Sequence, residues 1–191
     1  NINLFNCIDS VIIDDPSKID TLEVNNFNND LGFYIEQLFH TDFNRCYKSI
    51  KELLKLPLDK VLYYLNKNWD SAKSDYGAIY FFITVYKLLL DQQLYDEYIL
   101  DKVDFLLSDD WPDYMKFKSK AIQILGCLNE DKFYNNIDNF SDERHTPYWK
   151  NRYTALLILQ NKKIHIKKDL AKFFLNDSHR FVRLKAKEIS S

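Results

Sequence analysis

Residues 170–189 read Leu-Ala-Lys-Phe-Phe-Leu-Asn-Asp-Ser-His-Arg-Phe-Val-Arg-Leu-Lys-Ala-Lys-Glu-Ile. Apolar positions recur at helical spacing on either side of a short polar break. Leu170, Phe174 and Leu175 close a first helix, Asp177 turns the chain, and Val182, Arg183, Ala186 and Ile189 begin and line a second. The second half has counterparts upstream: Phe-Lys-Ser-Lys-Ala-Ile-Gln-Ile at 117–124 and Asn-Arg-Tyr-Thr-Ala-Leu-Leu-Ile at 151–158. In each copy a basic residue stands three before an alanine and an isoleucine three after it. Ala121, Ala155 and Ala186 lie 34 and 31 residues apart, the length of a two-helix unit that buries a face only against its neighbours. Small side chains there let paired helices approach closely. Ala78, in Asp75-Tyr-Gly-Ala-Ile-Tyr-Phe, marks a fourth copy that lacks the basic residue.

The turn at Asp177 followed by Val182-Arg183 and Ala186 resembles the HEAT-like (armadillo-type) repeat family. The likeness covers about residues 94–189; Asn151 stands where the pattern has Val, and Trp111-Pro112 enlarges one turn. The resemblance implies an all-α, HEAT-like α-solenoid of antiparallel helix pairs, irregular in its N-terminal half. It implies a binding surface and no reaction, and it implies that Arg183 braces Asp177.

Working outward, breaks at Thr41-Asp42, Leu56-Pro57, Asn68 to Asp70, Asp91 to Gln93, Ser108 to Pro112, Ser141 to Pro147 and Asn176-Asp177 predict helices over roughly 30–40, 43–55, 58–67, 70–90, 94–107, 112–128, 131–139, 147–160, 164–175 and 178–189. Thr146-Pro147 fits an N-cap and first-turn proline, since proline lacks an N–H that a helix start leaves unpaired anyway. Asp59, Asp70 and Ser178 sit near other starts. The segment from Tyr80 to Leu90 is apolar nearly all round and reads as the most buried helix of its half. We expect one domain: an irregular cap at 1–28, a divergent helical half at 29–93 and repeats at 94–191.

Composition agrees. The 191 residues include three glycines and four prolines, few punctuators for the turns of an all-β domain. Gly32, Gly77 and Gly126 are not spaced as a phosphate-cradling loop. Cys7, Cys46 and Cys127 form neither a disulfide framework nor a zinc-ligand pair, so a reducing compartment is expected. No apolar run approaches a membrane span; a cytoplasmic chain with no membrane contact is the expectation.

Formal net charge is −2, yet residues 142–191 hold 12 Lys and Arg against 5 Asp and Glu, leaving the remainder acidic. If successive second helices stack, Lys118, Lys120, Arg152, Arg183 and Lys185 line up as a basic strip. Asp109, Asp110 and Asp113 around Trp111 form the densest acidic cluster, at a helix start where carboxylates are favoured. Trp149, Tyr153 and Leu157 share a face at the spacing of a core stripe; the alternative is that one exposed Tyr or Trp there makes an interface anchor.

His40, His145, His165 and His179 include no pair three or four apart, which removes the two-histidine helical metal motif; Glu36 with His40 is half a site. Asp142-Glu143-Arg144-His145 has no nucleophile in an elbow nearby. The expectation is a chain with no catalytic residues, metal or cofactor, a non-enzymatic protein-binding module whose contacts are Lys118, Trp149, Arg152, Arg183, Lys185, Asp109, Asp110 and Asp113. Small size and polarised charge are similar in character to bacterial immunity proteins, which neutralise a cognate toxin by binding it. The alternative is a nucleic-acid-binding protein using the basic C-terminal strip.

Overall fold

The computed structural model describes residues 27–108 and 117–191, with side chains from Asp30 onward. Nearly all of the expected cap at 1–28, and the cluster of Asp109, Asp110 and Asp113 with Trp111, lie outside the described residues. Every regular element among those described is helical: α1 (Phe27–Gln37), α2 (Phe43–Leu53), α3 (Leu58–Ala72), α4 (Tyr76–Asp91), α5 (Ile99–Leu107), α6 (Phe117–Leu128), α7 (Glu130–Asn135), α8 (Ile137–Ser141), α9 (Trp149–Leu159), α10 (Ile164–Ala171), a 3-10 turn at Lys172–Phe174, and α11 (Arg180–Ser190).

Several boundaries differ from the sequence reading, and four of them have a local reason. The break expected at Asn68 to Asp70 is absent because Asn68 turns its amide back onto the Tyr64 carbonyl at 2.8 Å and the helix runs on to Ala72. Asp75, not Asp70, then starts α4, its Oδ1 accepting from the backbone N–H groups of Gly77 and Ala78, which satisfies donors a helix start leaves open. At the other end of α4, Gln93 N donates to Leu90 O and Leu94 N to Leu89 O, the paired bonds of a Schellman ending. Gln93 adopts φ 63° to make them, so α5 begins only at Ile99. Thr146 is no N-cap: its Oγ1 donates to the Asn139 carbonyl, and α9 starts at Trp149 after Tyr148.

Packing is sequential. α2 and α3 pack on α4, α4 and α5 on α6, α6 on α9, and α9 and α10 on α11. Ala78, Ala121, Ala155 and Ala186 fall one on each of α4, α6, α9 and α11, and all four are buried. Gly126 serves the same close approach, since a Cβ there would lie 2.7 Å from Cγ2 of Ile158. α4 buries Phe81, Phe82, Ile83, Val85, Tyr86 and Leu89, and α6 buries nine of its twelve residues. Each large apolar side chain so removed from water contributes about 1.5–3 kcal/mol before the entropy of ordering it. No helix among the described residues is long and apolar enough to cross a membrane.

Candidate functional site

The expected basic strip is taken up by the fold. Because α6 has neighbours on several sides, Lys118 is 3% exposed and its Nζ donates to the His145 carbonyl at 3.4 Å, while Lys120 is buried with its ammonium 5.5 Å from the Tyr80 ring centre. Arg152 is 1% exposed. Its Nε and Nη2 donate to Oδ2 and Oδ1 of Asp177 at 2.5 and 2.9 Å, and its Nη1 donates to the carbonyls of Thr146 and Pro147, both at 2.7 Å. Asp177 is therefore braced by the arginine of the preceding repeat copy, not by Arg183, which donates to the main-chain carbonyls of Asp177 and Ser178 at 2.6 Å. Lys185 pairs with Glu188 at 2.9 Å. These five cations hold turns and helices together and do not form the expected exposed strip.

The Arg152–Asp177 pair positions an aromatic cluster. Asp177 Oδ1 also accepts from the His179 backbone N–H at 2.7 Å, and Glu143 Oε1 accepts from Ser178 N–H at 2.5 Å, so the turn before α11 is fixed from two sides. The His179 ring consequently lies flat on the Trp149 indole, ring centres 4.0 Å apart and planes within 5°. Phe181 leans against both, 5.9 Å from Trp149 and 5.6 Å from His179, and is 58% exposed. Tyr153 meets Trp149 edge to face at 6.2 Å. Beside these rings the Lys150 ammonium stands 5.8 Å from the indole centre. Lys150 and Arg180 are exposed, and among the described residues neither forms an ion pair.

Of the sequence candidates, then, Trp149 is half-buried, packed on the core and beside the exposed Phe181, whereas Lys118 and Arg152 are buried and Arg183 and Lys185 are held by local partners. His179, Phe181, Lys150 and Arg180 were missed. Their signal was present in the repeat alignment: counting six back from Ala155 and Ala186 sets Tyr148-Trp149-Lys150 over His179-Arg180-Phe181, an aromatic and a cation at both helix starts.

Other polar clusters are more enclosed. Tyr86 donates from its hydroxyl to Asn66 Oδ1 at 2.6 Å, and the Asn66 amide reaches Asp96. Lys102 lies 4.0 Å from Asp96 and over the Tyr86 and Trp69 rings. Burial pushes the Tyr86 hydroxyl well above the usual phenol range and lowers Lys102, the latter opposed by Asp96 and Asp101. Desolvation also raises the thiols of Cys46 and Cys127, the direction opposite to that of an activated nucleophile. His40 accepts from Asp42 N–H at Nδ1 and meets the Arg45 guanidinium at Nε2, 2.8 Å away. Asp142 is held at about 2 by hydrogen bonds from Arg144. Among the described residues no three metal-ligating side chains converge.

Among the described residues the chain is of the all-α class. Comparison with known proteins narrows the class. The chain is 26% identical over 163 residues, 84% of its length, to the bilin biosynthesis protein CpeY of Synechococcus sp. (strain WH8020). It is 25% identical over 154 residues, 80% of its length, to the uncharacterized phycocyanin operon protein Y of Pseudanabaena tenuis (strain PCC 7409). The chain spans 39% and 35% of those two proteins, respectively. No family model and no solved structure matches.

These similarities overturn the HEAT-like and toxin-immunity readings, because both matches are to proteins named for bilin biosynthesis or a phycocyanin operon. They equally overturn the nucleic-acid alternative, whose basic strip the fold has in any case consumed. The expectation of a chain with no part in a reaction conflicts with a relative named for a biosynthesis.

Proposed function

We propose that the chain works in the attachment of bilins to phycobiliproteins, holding the bilin and meeting a phycobiliprotein subunit. The observation that carries this reading is similarity over 84% of the chain to a bilin biosynthesis protein. The aromatic surface at Trp149, His179 and Phe181 supports it, because an extended conjugated ligand is gripped by ring faces. The role is one of holding and presenting, in keeping with the raised thiols of Cys46 and Cys127.

The architecture that suits this role is a single-domain solenoid of antiparallel helix pairs, with α4, α6, α9 and α11 as one row of second helices. Sequential packing of those four, each through a buried alanine, supports it. Such a row offers an extended surface to a protein partner. The test is size-exclusion chromatography of the chain with biliverdin and an apo-phycobiliprotein subunit, followed at visible wavelengths. Pigment and subunit are expected to travel with the chain; if neither does, the reading is wrong.

A further inference from the structure

We propose that the ledge formed by Trp149, His179 and Phe181, flanked by Lys150 and Arg180, is the place on this chain where an open-chain tetrapyrrole bearing two propionates is held. This assignment rests on the bilin reading above and locates it on named side chains.

The ledge has the chemistry that such a ligand requires. A bilin is a long, flat, conjugated system with carboxylates along one edge. Its faces gain by stacking on aromatic rings, and its carboxylates need cations that are not already paired. Several other cations of the basic C-terminal region are already paired: Arg152 with Asp177, Lys162 with Glu130, Lys172 with Asp169, Lys185 with Glu188 and Arg144 with Asp142. Lys150, whose ammonium is 5.8 Å from the indole centre, and Arg180, which lies between His179 and Phe181 in sequence, are exposed at the starts of adjacent packed helices, α9 and α11.

Nearby acids leave part of this positive charge uncancelled. Asp177 is matched by Arg152, and Glu143, whose carboxylate accepts from Ser178 N–H, is a single negative charge against Lys150 and Arg180. The surface is therefore both aromatic and net cationic, which favours a planar anion over a neutral apolar peptide. It is also preorganised. The His179 backbone is fixed by Asp177 and the Trp149 helix start by Arg152, so the ring cluster keeps its geometry on binding and the ordering cost falls on Lys150 and Arg180.

Biliverdin and its dimethyl ester separate stacking from charge. The chain is titrated with each, and binding is read from the visible absorbance shift and the induced visible circular dichroism of the pigment. K150E/R180E is expected to weaken biliverdin at least tenfold and to leave the ester within about twofold. F181S, at a residue 58% exposed and therefore safe for folding, is expected to weaken both. Y63S, at an exposed ring on α3 away from the ledge, serves as the control and leaves both unchanged. Biliverdin bound equally by the original chain and by all three variants places the ligand elsewhere and overturns the ledge while sparing the bilin reading. No pigment bound by the original chain overturns both.

Discussion

Removing the carboxylate of Asp177 isolates the interaction that sets the α9–α11 turn. In Asp177→Ala the Arg152 guanidinium keeps its two carbonyl acceptors but loses both charged bonds, and it remains 1% exposed with no counter-charge closer than Glu143 at 3.9 Å. The His179 N–H loses its acceptor as well. Breaking a buried ion pair from one side costs about 3–5 kcal/mol, because the abandoned charge stays desolvated. For a chain of this size each kcal/mol moves the midpoint by about 2–4 °C, so Tm is expected to fall by roughly 6–20 °C, read as helical circular dichroism at 222 nm. Removing both partners in R152M/D177L leaves no orphan charge and costs less than the two single changes together. The aromatic near-ultraviolet signal is expected to weaken in D177A as His179 leaves Trp149. A midpoint within about 2 °C of the original refutes the argument that the pair holds the turn.

Three further perturbations follow from the same structure. Gln93 pays for its φ of 63° with a side chain, so Gln93→Gly is expected to stabilise by about 0.5–1 kcal/mol in urea unfolding; a loss of stability refutes the Schellman reading. Gly126→Ala forces a methyl to 2.7 Å from Ile158 and is expected to cost about 1–3 kcal/mol, less in an Ile158→Ala background; equal costs in the two backgrounds contradict the contact. Burial raises the Tyr86 hydroxyl, so as pH climbs above 10 the unfolded chain loses this proton while the folded chain retains it. Stability then falls by about 1.4 kcal/mol per pH unit for this group. Tyr86→Phe is expected to flatten the alkaline loss by that amount despite a lower stability at neutral pH, and an unchanged slope argues against the buried hydroxyl.

The helical class was legible because apolar spacing and scarce glycine act along the chain, without reference to tertiary contacts. The alanines at 78, 121, 155 and 186 were readable for the same reason, since each marks a close helix contact. Boundaries were lost where a side chain settled the matter locally, as with Asn68 on Tyr64 and Asp75 on Gly77. The basic strip failed for a different reason: repeat spacing tells which residues are equivalent but not whether neighbours enclose them. α6 is enclosed, which buries Lys118 and Lys120, and Arg152 reaches inward to the next turn. Bracing of Asp177 was foreseen at the right turn but assigned to Arg183, whereas the carboxylate pairs with Arg152 and Arg183 reaches main-chain carbonyls. The aromatic ledge needed two equivalent helix starts to be placed side by side.

The central claim, that this chain holds a bilin, is tested most directly by expressing it in cells that produce the pigment and purifying it under native conditions. The account predicts that a visible absorption band travels with the chain through affinity and size-exclusion steps at close to one pigment per chain. A colourless chain recovered from cells that have made the pigment would contradict it.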